Sequence, residues 1–297
     1  MTQRLFKLFF SIGVIAGLLW WIGPDEVLRH LVQAQPGWLA AGAVGLLLST
    51  LSMARRWQLT AQKLGLELSY LHALREYYLS QIVNSVLPGG VLGDLSRALR
   101  LRDKADFRRA GYSVMAERLI GQIAMFSITA TGLLGAFLWP GGLDWPISFF
   151  VVPPILIAFS VILFRTFGAT PEAIEFLDLF ANLLRNRTIL LHAFGATALL
   201  IFSLYACARA TGTIVPPEAW FTILPMILCA MVIPLSVAGW GWREGTAATL
   251  MPMIGAAPGA GVALGLCYGA LMLLVTLPGL VLFCLGKTPG QDRRAAL

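Results

Sequence analysis

Charge is what this 297-residue sequence lacks most: only 12% of its residues are Asp, Glu, Lys or Arg. A water-soluble domain carries roughly 25%. With 58% hydrophobic residues, a soluble enzyme, a disordered chain and a fibrous protein are all excluded. Cysteine is also scarce. Cys207, Cys229, Cys267 and Cys284 all lie in apolar segments without a CxxC pair, so they are expected to be small core residues and imply no redox compartment. The three histidines, His30, His72 and His192, are scattered, which argues against a histidine metal site. No GxSxG, HExxH, P-loop or GxGxxG run occurs, so the familiar hydrolytic and nucleotide-binding chemistries have no foothold. No cofactor is expected.

What the sequence has instead is long apolar runs. A membrane-spanning helix takes about 20 residues, and several stretches here qualify. The expected fold is an all-α polytopic membrane protein of about eight helical segments, forming a single domain over residues 1–297. Spans are expected at about 5–22, 38–54, 111–139, 147–164, 188–208 and 262–285. The first is read as uncleaved, because no small-residue cleavage site follows its apolar run. A net charge of +7 fits basic loops on the cytoplasmic side of an inner membrane, with both termini inside. It also fits attraction to anionic lipids; nucleic acid is a poor candidate, because no soluble basic domain is available to hold it. Trp20, Trp21, Trp57, Trp139 and Trp145 read as an interfacial belt.

Two segments break the pattern. The first is apolar over 77–91 but ends in Pro88-Gly89-Gly90 and Gly93-Asp94, too short and too interrupted to span. It is expected to dip into the membrane and return on the same side, which broken backbone does only inside protein or beside water. The second runs from Trp220 through Pro234 to Gly239-Trp240-Gly241 and Arg243-Glu244. From residue 219 to 285 either three crossings, or one crossing plus a re-entrant pair, would satisfy the loop charges. Proline precedes glycine by five residues in both broken segments, a spacing that admits an internal inverted repeat of the kind transporters use to build their sites.

Charges inside apolar stretches are the informative ones. Here they are Asp94, Arg97, Glu117, Arg118, Arg243 and Glu244. They read either as ion pairs at helix edges or as a buried cluster in which arginine forks hold a phosphate and acids orient them. Asn84 can donate into the same region or simply satisfy a turn. Asp25-Glu26 offers a third possibility, a metal and sugar-phosphate site of a polyprenol-dependent membrane glycosyltransferase, against the plainer reading of acids at a helix N-terminus.

The pattern Asn84-x-x-Leu87-Pro88-Gly89-Gly90-x-x-Gly93-Asp94-x-x-Arg97 resembles the first motif of the lysylphosphatidylglycerol synthase transmembrane-region family. Glu117-Arg118 fits the same pattern, as does Ile233-Pro234-x-Ser236-x-x-Gly239-x-Gly241-x-Arg243-Glu244. The resemblance runs over about residues 1–290 and implies a helical bundle with two re-entrant regions that moves lipids between leaflets. An aminoacyltransferase domain is not expected within these 297 residues, and neither is lipid synthesis. The implied substrate-binding set is Asn84, Pro88, Gly89, Gly90, Gly93, Asp94, Arg97, Glu117, Arg118, Pro234, Gly239, Gly241, Arg243 and Glu244. Arg97 and Arg243 are expected to engage the phosphate of an anionic, polyprenyl or hopanoid-type lipid. Arg118 would assist, while the three acids hold the arginines. The other readings are a non-transporting scaffold beside a lipid-synthesis enzyme and the glycosyltransferase. The 30 glycines permit the close helix packing of a homodimer.

Overall fold

The computed structural model describes residues 13, 15–86, 92–102, 107–138, 170–232 and 237–285. Among these there is no strand. Eleven α-helices lie wholly among the described residues: α1 (Pro24–Val32), α2 (Pro36–Lys63), α3 (Tyr70–Val86), α4 (Leu92–Arg102), α5 (Phe107–Leu138), α6 (Pro171–Leu184), α7 (Arg187–Ala210), α8 (Pro217–Phe221), α9 (Ile223–Ala230), α10 (Trp242–Leu250) and α11 (Pro258–Leu285). Four of them, α2, α5, α7 and α11, are long and apolar enough to cross a membrane. The span expected at 147–164 and half of that at 5–22 lie outside the described residues, as do Pro88, Gly89, Gly90 and Pro234.

Local chemistry sets the boundaries. Pro24, Pro36, Pro217 and Pro258 each open a helix at a position where the missing N–H costs nothing. Asn186 caps α7 by accepting from the Thr188 and Ile189 N–H groups at 3.0 and 3.2 Å. The helix of the span expected at 38–54 continues to Lys63, because residues 58–63 hold no helix breaker.

Packing then orients the chain. α2 and α7 lie against each other, with Gly45 so close to Ser203 that a Cβ there would stand 2.4 Å from its Oγ. Lys63 at the end of α2 shares a surface with Asn186 at the start of α7. The other end of the bundle carries Gln35, whose N–H bonds Ala210 O at 3.0 Å, and Glu26, which meets Gly259.

Both broken segments are hairpins, and they enter from opposite ends. α3 starts at the Lys63 end, where Gln58 reaches Leu68 O at 3.1 Å. It runs inward until Gln81 lies level with Thr50, near the middle of α2. α4 turns back along it, Gly93 against Ser80 and Arg100 against Glu76, so the chain leaves at the end where it came in. In the second hairpin, Arg243, Glu244 and Ala247 meet Gly269, Gly265 and Gly261 of α11 in that order. α10 therefore heads back towards the Gly259 end. In the stretch 219–285, α11 is the one helix among the described residues long and apolar enough to cross a membrane, and α9 and α10 are too short to do so.

Glycine makes the first hairpin tight and seats the second closely against α11. A Cβ at Gly93 would lie 2.1 Å from Ser80 O, and one at Gly261 2.4 Å from Ala247 O. Because the obstacle is backbone, Gly93→Ala must splay α3 from α4. The expected cost is about 1–3 kcal/mol, read as a lowered thermal midpoint of the purified protein; an unchanged midpoint would contradict this packing.

Candidate functional site

A cavity of about 330 Å³ lies at the centre of the bundle, walled by α2, α3, α4, α5, α7 and α11 and by the end of α9. Its lining divides by chemistry. Towards α3, α4 and α5 stand Ser80, Gln81, Asn84, Asp94, Arg118 and Gln122. Towards α9 and α11 stand Leu228, Met231, Met272 and Val275. Four methionines, Met53, Met125, Met231 and Met272, are spread around the lining and give the cavity soft, adaptable side chains.

The polar end is built on Glu117. It lies ten residues into α5, roughly 15 Å along the axis, so it is no helix-edge residue. Only 1% of it is exposed. Its Oε1 accepts from Arg56 Nε at 3.1 Å, Arg56 Nη2 at 2.5 Å and Tyr77 OH at 3.3 Å. Its Oε2 accepts from Arg97 Nη2 at 2.7 Å. Asp94 sits in the first turn of α4, where the helix dipole favours an acid. It pairs with Arg97 at 3.0 Å and with Arg118, and accepts from Ser80 Oγ and Asn84 Nδ2 at 3.3 Å each. Asn84 Oδ1 takes the Gly93 N–H at 2.7 Å, so the one side chain ties both arms of the hairpin. Three guanidiniums, Arg56, Arg97 and Arg118, thus meet two carboxylates. Among the described residues this cluster carries one more cation than anion.

The arginines differ in access. Arg97 is 1% exposed and lies between the rings of Trp57 and Tyr77, 4.6 and 4.7 Å from their centroids. It does not line the cavity. The Arg118 side chain is 42% exposed and does. Arg56, two residues past the span expected at 38–54, lines the cavity but is only 4% exposed, held beside Gly121, where a Cβ would come within 2.8 Å of its Nη2. Trp57, expected in the interfacial belt, is fully buried, with its Nε1 donating to Ser113 Oγ at 3.2 Å.

The second motif builds a parallel cage. Gly239 and Gly241 take positive φ of 81° and 91°, which admits the sharp turn into α10. Glu244 Oε2 accepts the Gly241 N–H at 2.6 Å, and Oε1 holds Arg243. Arg243 stacks on Trp240 and Tyr268, 4.8 and 5.7 Å from their centroids, and is 1% exposed. Each motif therefore surrounds one arginine with a tryptophan, a tyrosine and a glutamate. The structure brings Asn84, Asp94 and Arg118 to the cavity wall, while Arg97, Glu117, Gly239, Gly241, Arg243 and Glu244 stand behind it. Two expectations change as a result: Arg97 and Arg243 are clamped within the protein, and Arg118 takes the exposed place.

Asp25 and Glu26 lie far from the cavity. Asp25 is exposed, and Glu26 Oε1 accepts the Gly259 N–H at 3.1 Å at the start of α11. Its work there is that of a cap. Glu26→Ala is expected to cost about 1 kcal/mol, a small fall in thermal midpoint with cavity binding unchanged; lost cavity binding would refute that assignment. Among the described residues no cluster of His, Cys, Asp and Glu has a metal-holding arrangement.

Comparison with known proteins agrees with this architecture. Neither the curated proteins nor the solved structures gave a match. The family model described as the lysylphosphatidylglycerol synthase TM region matches residues 8–279, which takes in both hairpins, α2, α5, α7, most of α11 and every residue of the two cages. The chain belongs to the lysylphosphatidylglycerol synthase TM region family.

Proposed function

We propose that this protein carries an anionic lipid headgroup between the leaflets of an inner membrane, and that the central cavity is where the headgroup sits. The observation that carries the reading is the charge of the cluster at the cavity wall. Three guanidiniums against two carboxylates leave one positive charge in a low-dielectric site, with Arg118 as its accessible member. Such a site favours a phosphate, because arginine forks two phosphate oxygens at once. A zwitterionic headgroup brings an extra cation and matches it less well.

The two-sided lining supports a lipid rather than a free anion. A phosphate lodges at Arg118, Gln122 and Asn84, while the glycerol and first methylenes lie along Met231, Met272 and Val275. At about 330 Å³ the cavity is at the small end of ligand pockets, a size that suits a headgroup. The acyl chains stay in the bilayer. Two hairpins entering from opposite ends give each leaflet its own route to the same central site. With no nucleotide motif, movement is downhill or follows an ion gradient. The protein acts as a carrier, not as an enzyme.

The test is translocation. Proteoliposomes of the purified protein should move a fluorescent phosphatidylglycerol faster than protein-free liposomes, and faster than the matching phosphatidylcholine. Rates equal to those of empty liposomes for every lipid tried would favour the scaffold reading.

A further inference from the structure

The outer side of the α3–α11 wall holds a second concavity of about 670 Å³. Leu71, Leu74 and Arg75 of α3 line it, with Leu277, Pro278 and Val281 of α11. Leu71 is 78% exposed, Leu277 46% and Val281 56%, so these side chains point away from the bundle. In a membrane they face lipid. The two helices are pinned below the groove by Gly279, whose Cβ would stand 2.3 Å from Tyr78 O. Pro278 cannot donate to Leu274 O, which leaves that carbonyl of α11 without its helical partner.

One side chain is out of place on this apolar surface. Arg75 is exposed and, among the described residues, pairs with no carboxylate. Arg56, Arg97, Arg100, Arg108, Arg118 and Arg243 all do. A guanidinium among lipid-facing leucines costs several kcal/mol at mid-depth. Arg75 avoids that depth: it lies five residues into α3, about 7.5 Å from its start, where lipid phosphates are within reach of a long side chain.

We propose that the groove between α3 and α11 is a docking site for an anionic phospholipid of the surrounding bilayer, its phosphate forked by Arg75 and an acyl chain laid along Leu71, Leu74, Leu277 and Val281. The groove is separate from the cavity, which α3 lines further along its length, with Ser80, Gln81 and Asn84. The proposal rests on the membrane placement of the fold and not on transport, so groove binding and translocation succeed or fail independently.

Photo-crosslinking of the full-length protein in phosphatidylcholine nanodiscs tests it. The probes are a diazirine-bearing phosphatidylglycerol and the matching phosphatidylcholine, with labelled peptides mapped by mass spectrometry. The phosphatidylglycerol probe should label residues 71–78 and 277–282 about tenfold more than the other, the worth of one charge-assisted contact. Arg75→Gln should erase that difference, Arg75→Lys should keep most of it, and Arg118→Gln should leave it unchanged. Equal labelling by both probes, unchanged labelling in Arg75→Gln, or its loss in Arg118→Gln would each overturn the proposal.

Discussion

Glu117→Gln is expected to be the most destabilising single change in this protein. The carboxylate holds Arg56 through two nitrogens and Arg97 through a third, and all three side chains are at most 5% exposed. A glutamine of the same shape keeps the packing and removes the charge. Two buried guanidiniums then face one carboxylate, Asp94, which Arg118 also uses. Stranding a buried charge in this way costs about 3–5 kcal/mol. The thermal midpoint in detergent should fall by on the order of 10 °C, and yield should fall with it. Arg56→Gln should be far milder in the Glu117→Gln background than alone, because the two losses share one interaction. A midpoint within a degree or two of wild type would mean that the cluster is hydrated rather than buried.

Arg118→Gln should behave in the opposite way: little loss of stability and a large loss of function. Its side chain is 42% exposed, and its place at the cavity wall needs no rearrangement to meet a ligand. Removing one charge-assisted contact to a phosphate costs about 1.5–3 kcal/mol, equivalent to about a 10- to 100-fold weaker affinity. Translocation of phosphatidylglycerol in proteoliposomes should drop towards the protein-free rate while the thermal midpoint stays near wild type. Arg118→Lys should recover part of the rate, since lysine keeps the charge and loses the fork. If Arg118→Gln transported at the wild-type rate while Arg97→Gln remained folded and did not transport, the roles of the two arginines would be reversed.

The sequence carried much of this architecture. Apolar length located α2, α5, α7 and α11, and the Pro-Gly interruptions marked two segments that do not cross. It also found Asp94, Arg97 and Glu117 as partners, because charges inside apolar runs have few reasons to be there. It could not see access. Arg97 and Arg118 look alike as letters. What separates them is that Trp57 and Tyr77 close over the one, while the side chain of the other is 42% exposed. Arg56 was hidden for a related reason: an Arg-Arg pair after an apolar run is also the mark of a loop on the basic side. The one hint was that no helix breaker follows until Gly65, which places Arg56 about two turns inside α2. The Trp-Tyr-Glu cage around each motif arginine was illegible, since Tyr77 and Tyr268 come from outside the glycine-rich parts of the motifs.

The claim at the centre of this account is that the cavity holds an anionic headgroup at Arg118. Native mass spectrometry of the purified protein, released from detergent with its retained lipids, measures this directly. Wild type and Arg118→Gln are compared in an Arg75→Gln background, which removes the groove as a second site. The account predicts one retained anionic phospholipid, enriched over the bulk membrane, on the Arg75→Gln protein and its loss when Arg118→Gln is added. Retained lipids that mirror the bulk membrane in both proteins would contradict it.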